Sequence, residues 1–349
     1  MCFQKVVTVM KENDFPKYLT TFLSLYLPGQ RNVSVNTIAS YRDAFKLLLT
    51  FCDGVKGIKP EKITFLKLTK ELVIEFLTWL EQERGCSIST RNQRLAALHA
   101  FFRYTLKESP ENLYETQKIL AIPNKRKAKP IVPYLTANEL KILLEQPDLE
   151  TEDGRRDLVL LVVLYDTAAR VQELVDLRIG DVRLASPTVI TLHGKGDKSR
   201  LVPIMGKTHK LLQQYLDECK RTSGIAKIEL PLFYNQQHKK LSRWGVSYII
   251  NKYVGLAKQN LLFNIDFPVT PHVFRHSKAM HLLQANVNLI YIRDFLGHVD
   301  VATTEVYARA DSEMKRKALE NAYVDLVTGD LPKWDSDGDL LKWLNNLCD

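Results

Sequence analysis

The segment of residues 270–310 constrains the fold of this chain most, because start and stop signals divide it into three short helices. Thr270-Pro271 is typical of a helix N-cap and first turn. Residues 289–296 have the spacing of a short amphipathic helix that ends at Gly297, and a further helix is predicted over 301–310. The turn and the last helix can therefore fold back over the start of the first helix.

Six basic and hydroxyl side chains have the chemistry to hold one phosphodiester. Guanidinium groups are planar and permanently charged, imidazoles donate or carry protons, and a tyrosine hydroxyl can attack phosphorus. Two of the six share one helix face beside a helix N-terminus, where free N–H groups favour an anion. The six are Arg170, Lys195, His272, Arg275, His298 and Tyr307. They supply the groups needed for phosphoryl transfer without a metal ion.

Five ordered motifs resemble those of the tyrosine recombinases, also called phage-type integrases. The resemblance runs from about Phe15 to Ala310, and five motifs in order are more specific than any one alone. The matching stretches are Thr167–Leu174, His193–Pro203, His272–His276, Leu296–His298 and Tyr307.

Two positions depart from the pattern of that family. Ala169 stands where many members have Gly, which would only tighten the packing around Arg170. Ala308 and Arg309 follow the tyrosine where many members have a nearby His. Neither position carries the chemistry, and the second leaves one orienting contact open.

The resemblance implies a role for each of the six side chains. Tyr307 would attack a DNA phosphate, which leaves a 3′-phosphotyrosyl enzyme and a free 5′-hydroxyl. Arg170 and Arg275 would clamp the phosphorane, and His298 would hydrogen-bond one of its oxygens. Lys195 would protonate the leaving 5′-oxygen.

The lysine belongs to a predicted hairpin turn between strands 189–193 and 200–204. Lys198 in the same turn is an alternative to Lys195. Lys195 is preferred because the family motif places the catalytic lysine between two glycines.

The histidines of the predicted helix at 270 have more than one interpretation. His272 would accept the tyrosine proton, while His276 and His281 are interpreted as packing or supporting residues. His272 and His276 could instead ligate a metal, but no neighbouring carboxylate or thiolate completes such a site. We therefore expect no metal and no other cofactor. Glu173, one helical turn after Arg170, is expected to orient the site from behind.

The charge of the chain agrees with a nucleic-acid partner. It contains 49 Lys and Arg residues against 40 Asp and Glu residues, a formal net charge of +9. The excess of positive charge falls on residues 1–319, whereas residues 320–349 are acidic. Because duplex DNA binds through its phosphates, the first part is suited to lie against DNA and the tail is not.

We expect a mainly α-helical protein with a small antiparallel sheet, divided into two domains. Apolar residues recur at helical spacing through the first domain, with Thr69 and Ser89 as helix caps. By the resemblance, this is a SAM-like core-binding bundle, and the second domain is the catalytic domain that breaks and rejoins DNA. The expected segments are the bundle at 1–112, a basic linker at 113–133, the catalytic domain at 134–319 and an acidic tail at 320–349.

Two groups of basic residues are candidate DNA contacts. Arg91 and Arg94 are predicted to lie opposite the apolar stripe of their helix, where they either contact phosphates or form an ordinary charged face. The basic run of the linker suits a clamp on DNA or a solvated tether. Its candidate residues are Lys125, Arg126, Lys127 and Lys129.

Cysteine usage and hydropathy bear on location. The five cysteines are unclustered and form no zinc motif, and the sequence has no signal peptide or long apolar span. We therefore expect a reduced, cytoplasmic, nucleoid-associated protein without a membrane partner.

A short helix is predicted in the acidic tail, within residues 337–347. Four leucines fall on one of its faces, and the extended segment before it is too short to build a core of its own. This face either folds onto its own catalytic domain or docks into a neighbouring protomer, as C-terminal helices do in members of the family. Docking in trans is the preferred interpretation.

The resemblance implies a site-specific recombinase that exchanges strands through a Holliday junction. It would act as a homo-tetramer on two double-stranded DNA sites, with a monomer or dimer on a single site and with or without accessory proteins. Integration, excision or transposition of a mobile element is the preferred role. The alternatives are Xer-type resolution of chromosome or plasmid dimers, a type IB topoisomerase and a non-catalytic DNA-binding regulator.

Overall fold

The computed structural model divides into two compact units, Met1–Lys129 and Pro130–Asp349. No helix in the described part of the chain has the length and apolar character to span a bilayer. The structure describes residues 14–108, 113–126, 132–194, 198–223, 228–298 and 301–310. The predicted docking helix of the tail lies outside these residues.

The described part of the first unit is helical. A π-helical segment, Phe22–Gln30, follows the first helix and contains Pro28, which has no N–H to donate to a helical hydrogen bond. The α-helices are α1 (Asp14–Thr21), α2 (Val35–Gly54), α3 (Lys70–Gln82), α4 (Ile88–Glu108) and α5 (Leu113–Leu120).

Aromatic side chains fill the core of this unit. Phe22 and Phe101 are fully buried and meet edge to face, with ring centroids 5.4 Å apart. Thr69 caps α3 as predicted, since its hydroxyl accepts a hydrogen bond from the N–H of Leu72. The predicted cap Ser89 is wrong: it lies inside α4, and the Ser87 hydroxyl accepts the first-turn hydrogen bond.

The expected linker is partly helical. Its first residues form α5, which packs against α3 and α4, and Ile119 and Ile122 are buried in the core of the first unit. The linker predicted at 113–133 therefore contains two apolar residues that belong to the core of the first unit.

The second unit combines helices with a three-stranded antiparallel sheet in the order β1-β2-β3. Ile190 pairs with Val202 in the hairpin of β2 and β3. Both of these strands match the predicted strands within one residue, while β1 was not predicted. The strands are β1 (Val182–Arg183), β2 (Val189–His193) and β3 (Ser199–Pro203). The helices are α6 (Ala137–Leu144), α7 (Glu152–Thr167), α8 (Val171–Asp176), α9 (Gly206–Ser223), α10 (Arg243–Ala257), α11 (Pro271–Gln284), α12 (Leu289–Leu296) and α13 (Ala302–Ala310).

Two backbone features place the candidate site residues. Ala168 ends α7 in the left-handed conformation, with φ 48°, so the chain turns sharply and α8 begins at once. Gly297 ends α12 with φ 65°, as predicted, and the chain turns back toward α13. The helices α11, α12 and α13 contact one another, which brings residues far apart in sequence to one place. The predicted fold class, mainly α with a small antiparallel sheet in two domains, is confirmed.

Candidate active site

Arg275 is a buried cation at the centre of the site. Its side chain is 3% exposed, and it donates to the carbonyl oxygens of Ala168 at 2.7 Å and Leu296 at 2.6 Å. Burial, together with the charges of Arg170 and Arg200, lowers its pKa to about 10, so it stays charged at neutral pH. A buried guanidinium whose hydrogen bonds go to neutral carbonyls favours an anion beside it.

Arg170 provides a second, more exposed guanidinium in the same place. It is the N-cap residue of α8, and its side chain is 40% exposed. Its Nη2 lies 3.2 Å from the carbonyl oxygen of Gly297. Gly297 directly follows Leu296, whose carbonyl oxygen accepts the hydrogen bond from Arg275. The two arginines therefore converge on successive peptide groups at the end of α12.

Glu173 holds the arginines from behind. It is 4% exposed, and it accepts hydrogen bonds from Nη1 of Arg170 at 2.7 Å and from two nitrogens of Arg200 at 3.1 and 2.8 Å. Burial by itself would raise the pKa of Glu173, but the hydrogen bonds from Arg200 and Arg170 outweigh it and the net shift is downward. Glu173 is thus a carboxylate in the folded protein, and it fixes the direction of Arg170.

Arg200 was not singled out from the sequence. Besides its two bonds to Glu173, it donates from Nε to the carbonyl oxygen of Phe295 at 3.1 Å. A Cβ on Gly297 would lie 3.2 Å from Arg200, so a side chain there would press on the guanidinium. The alternation of β3 could have identified it, because Arg200 shares the inward face of the strand with buried Val202.

His298 lies in the turn after α12, as predicted. Its Nδ1 is 3.0 Å from the hydroxyl oxygen of Thr304, which is fully buried on α13. Burial, followed by the charges of Arg275 and Arg170, lowers the pKa of His298 to about 4. The ring is therefore neutral at pH 7, and its orientation is fixed by Thr304, a residue that no sequence pattern had singled out.

Tyr307, the predicted nucleophile, belongs to this cluster. The residue is 3% exposed, and its hydroxyl lies 2.9 Å from Nδ1 of His276. Burial raises the pKa of Tyr307, while the charge of Arg275 lowers it. His272 was expected at this hydroxyl, but its ring is exposed and stacks on His276 with centroids 6.4 Å apart. The histidine that contacts the phenol is therefore His276, which the sequence had assigned to packing.

Lys195 lies outside the described residues, but the start of its turn is described. Gly194 donates its N–H to the carbonyl oxygen of Lys198 at 2.7 Å, and a Cβ on Gly194 would lie 3.4 Å from Oε1 of Glu173. The hairpin therefore enters the turn close to the carboxylate that holds Arg170.

The candidate DNA contacts of the first unit differ in exposure. Arg91 is 6% exposed and donates to the carbonyl oxygen of Pro123 at 3.2 Å, so the expectation that it faces away from the apolar stripe is wrong. Arg94 is half-buried and donates to the carbonyl oxygen of Ser40 at 3.0 Å. Contact of either residue with DNA stays a prediction.

The basic run after α5 is described only in part. Nζ of Lys125 lies 2.6 Å from Oε2 of Glu81, and Arg126 is exposed. Lys127 and Lys129 lie outside the described residues. Within the described ranges, no group of three or more His, Cys, Asp and Glu side chains could hold a metal ion.

The site combines positively charged groups that can bind an anion with a neighbouring tyrosine hydroxyl. Two guanidiniums, a neutral imidazole fixed by a threonine and a tyrosine hydroxyl on a second imidazole surround the end of α12. Positive charge placed where an oxyanion develops stabilises a phosphorane without reorganisation during the reaction. The arrangement fits attack of a tyrosine on a phosphodiester.

Family models match both units of the chain. The phage integrase family matches residues 133–314, and the phage integrase N-terminal SAM-like domain matches residues 20–109. The chain belongs to the phage integrase family. Its activity is that of a tyrosine recombinase, which cleaves and rejoins DNA.

Individual relatives agree with this assignment over most of their length. A candidate integrase/recombinase of Sinorhizobium fredii, y4rC, is 37% identical over 338 residues, which is 97% of this chain and 99% of the relative. The tyrosine recombinase XerD of Listeria monocytogenes is 30% identical over 81% of this chain and 90% of its own length.

Solved structures show the same fold. The XerH site-specific recombinase, in a post-cleavage complex with palindromic difH substrate, is 25% identical with a TM-score of 0.65, over 84% of this chain and 80% of that one. The Tn1549 transposon integrase in complex with transposon right end DNA has a TM-score of 0.65 at 16% identity, over 87% of this chain and 98% of that one. The second likeness concerns the fold alone.

Proposed function

We propose that this recombinase uses Tyr307 to cut double-stranded DNA at specific sites and integrates, excises or transposes a mobile element. The observation that carries the proposal is the position of the Tyr307 hydroxyl, which is buried on α13 beside the charge of Arg275. Within the described part of the chain, the hydrogen bonds of Arg275 go to neutral carbonyl oxygens, so no anion is hydrogen-bonded to its charge there. A phosphate between the arginines would supply the missing anion.

The reaction follows from these groups. The Tyr307 oxygen attacks phosphorus and loses its proton to a local acceptor, while Arg170 and Arg275 hold the non-bridging oxygens of the phosphorane. The bond from phosphorus to the 5′-oxygen breaks, and Lys195 gives that oxygen a proton. Attack of a 5′-hydroxyl on the phosphotyrosine reverses the sequence and restores the phosphodiester. Since the bond energy is kept in the covalent intermediate, no nucleotide cofactor is consumed.

Glu173 and Arg200 act by positioning. Glu173 accepts hydrogen bonds from the backbone N–H and from Nη1 of Arg170, so the remaining N–H groups of the guanidinium point away from Glu173. Arg200 neutralises Glu173 and is itself held by Phe295. This chain of contacts keeps Arg170 in one orientation before substrate binds.

We assign the other parts of the chain by the same reasoning. Residues 1–112 and the basic residues of 113–133 would bind DNA, residues 134–319 would carry out the chemistry, and residues 320–349 would contact a neighbouring protomer. The protein would assemble as a homo-tetramer on paired DNA sites and exchange strands through a Holliday junction. It would act at the nucleoid. The name and the near-complete match of the Sinorhizobium fredii relative favour integration or transposition, and the likeness to XerD keeps dimer resolution as the second candidate.

A nicked suicide substrate tests the proposal. Cleavage next to a nick releases a short oligonucleotide, so the covalent complex cannot religate and accumulates. We expect the wild-type protein to form this complex on DNA that contains its site, and Tyr307→Phe to bind the same DNA without forming it. Tyr291→Phe is the matched control, because Tyr291 is an exposed tyrosine on the neighbouring α12. Trapping of Tyr307→Phe at the wild-type level would refute the proposal, and relaxation of supercoiled DNA without site preference would indicate a topoisomerase instead.

A further inference from the structure

We propose that His276, rather than His272, accepts the proton of Tyr307 during strand cleavage. The inference rests on the proposed function, in which Tyr307 is the nucleophile. It assigns a base to a position that neither the sequence pattern nor the family resemblance marked as catalytic.

The geometry of the pair carries the inference. Nδ1 of His276 lies 2.9 Å from the Tyr307 hydroxyl, with ring centroids 5.6 Å apart at 57°. A general base must lie within hydrogen-bond distance of the proton that it removes. Because Tyr307 is 3% exposed, bulk water has little access to its hydroxyl, and the acceptor has to be a neighbouring side chain.

His272 does not meet this requirement. His272 is exposed, and its ring stacks on the ring of His276. The Tyr307 hydroxyl is hydrogen-bonded to His276. His272 lies at the first turn of α11, where an exposed imidazole is placed to contact a phosphate oxygen instead. His276 would then accept the proton that the resemblance assigned to His272, and His272 would contact the phosphate.

The protonation state of His276 suits a base. Burial, followed by the charges of His272 and Arg275, lowers its pKa to about 4, so the ring is neutral at pH 7 and Nδ1 can accept from the phenol. The ionisable groups that face it are His272 and Arg275 on its own helix, His298 from the turn after α12 and Tyr307 from α13. An anionic phosphate bound at the arginines would offset their charge and raise the basicity of His276 during the reaction.

The proton balance of the step is complete. As the Tyr307 oxygen forms its bond to phosphorus, the phenol proton moves to Nδ1 of His276, which becomes an imidazolium. The 5′-oxygen leaves with its bonding pair and takes a proton from Lys195. In the reverse reaction His276 returns its proton to the tyrosine oxygen as phosphorus leaves it.

A second hydrogen-bonded pair, His281 on α11 and Tyr165 on α7, provides a matched control. The Tyr165 hydroxyl lies 2.8 Å from Nδ1 of His281, with ring centroids 5.8 Å apart at 63°. The atoms and the helix that carries the histidine are the same as for His276, and the distance is nearly the same, but this pair lies beside Lys278 and Asp166 instead of the arginines. His281→Asn therefore makes the same substitution at an equivalent hydrogen bond without touching the proposed chemistry.

The first experiment measures single-turnover cleavage of the nicked substrate. Asn retains an amide group near the position of Nδ1 that can accept a hydrogen bond but cannot take up a proton. We expect His276→Asn to bind DNA normally and to cleave roughly 100-fold more slowly, and His281→Asn to stay within about threefold of wild type. Cleavage by His276→Asn within about threefold of wild type would overturn the inference. Loss of cleavage by Tyr307→Phe in the same series shows separately that the proposed function holds.

The second experiment separates a base from a positioning residue. Difluorotyrosine at position 307 has a more acidic phenol and needs less help to lose its proton. We expect this change to raise the cleavage rate of His276→Asn at least about tenfold and to leave the cleavage rate of Arg170→Lys unchanged. Without such rescue, His276 would only position the phenol and the base assignment would be wrong.

The third experiment excludes the opposite proton transfer. A substrate with sulfur in place of the bridging 5′-oxygen has a leaving group that needs no acid. We expect this substrate to restore cleavage to Lys195→Ala and to leave His276→Asn slow. Restoration of His276→Asn by the sulfur substrate would make His276 the acid and contradict the inference.

Discussion

Two histidines of α11 each contact a tyrosine of another helix, and the two pairs differ in what surrounds them. Tyr307 and His276 lie beside Arg275, whose charge lowers the pKa of the phenol against the effect of burial. Tyr165 and His281 lie beside Asp166, whose charge adds to burial and raises the pKa of Tyr165 to about 12. Under the proposed function, the same hydrogen bond therefore supports a nucleophile in one place and a packing contact in the other. The charges around the pair decide which.

The largest expected effect comes from changing the cation beside each pair. Arg275→Lys replaces a planar group that binds Ala168 and Leu296 together, and an ammonium cannot keep both bonds and still hold a phosphate oxygen. We expect single-turnover cleavage to fall roughly 100- to 1,000-fold. Lys278→Arg is the matched change beside Tyr165 and should leave the rate within about threefold of wild type. Equal losses for the two variants would remove the distinction between the pairs.

Removal of the carboxylate behind the arginines should affect stability as well as rate. Glu173→Gln leaves Arg200, whose side chain is 14% exposed, without its ionic partner. Breaking such a buried pair costs about 3 kcal/mol of unfolding free energy. Glu229→Gln breaks the exposed ion pair with Arg178 and should cost less than about 1 kcal/mol. Urea unfolding of the three proteins measures both values, and a loss for Glu173→Gln no larger than that for Glu229→Gln would show that the buried pair does not hold the site together.

Acid should destabilise the protein through the histidines of the site. Burial lowers the pKa values of His276 and His298 from 6.5 to about 4. Between these pH values the two side chains therefore bind protons in the unfolded chain but stay neutral in the folded protein. Their contribution to the free energy of unfolding is therefore complete above pH 6.5 and is lost as the pH falls from 6.5 toward 4. We expect His276→Asn to lose less stability than wild type between pH 7 and pH 5. Parallel losses in urea unfolding at the two pH values would contradict the burial of a neutral His276.

The smallest expected effect concerns the packing pair itself. Tyr165→Phe removes one hydroxyl and its hydrogen bond to His281 and keeps the ring. We expect a loss of about 1 kcal/mol of unfolding free energy and an unchanged cleavage rate. Thermal unfolding and the suicide substrate test the two parts, and a defect in cleavage comparable to that of Tyr307→Phe would mean that both tyrosines take part in catalysis.

Local sequence signals predicted the helices of the site but not its contacts. Pro271 and Gly297 set the start of α11 and the end of α12, because each acts through the backbone of its own turn. The choice between His272 and His276 depends on where α13 packs across α11, and no local pattern encodes that. Sequence reasoning therefore could not show that the Tyr307 hydroxyl contacts His276, and the role expected of His272 stays a prediction.

Arg200, Thr304 and Arg91 illustrate the same limit. Arg200 and Thr304 are ordinary strand and helix residues whose partners, Glu173 and His298, come from other elements. Arg91 was expected on an exposed helix face, but the chain after α5 passes over it and accepts its hydrogen bond through Pro123. A helical wheel shows which residues share a face, and it does not show which later segment covers that face.

Mapping the site of the covalent adduct shows directly which residue attacks the DNA. The wild-type protein is trapped on a nicked substrate, the DNA is digested to a short nucleotide remnant, and the modified peptide is identified by mass spectrometry. We expect one phosphotyrosyl peptide, with the 3′-phosphate of the DNA on Tyr307. An adduct on Tyr165, on any other residue or on none would contradict this expectation.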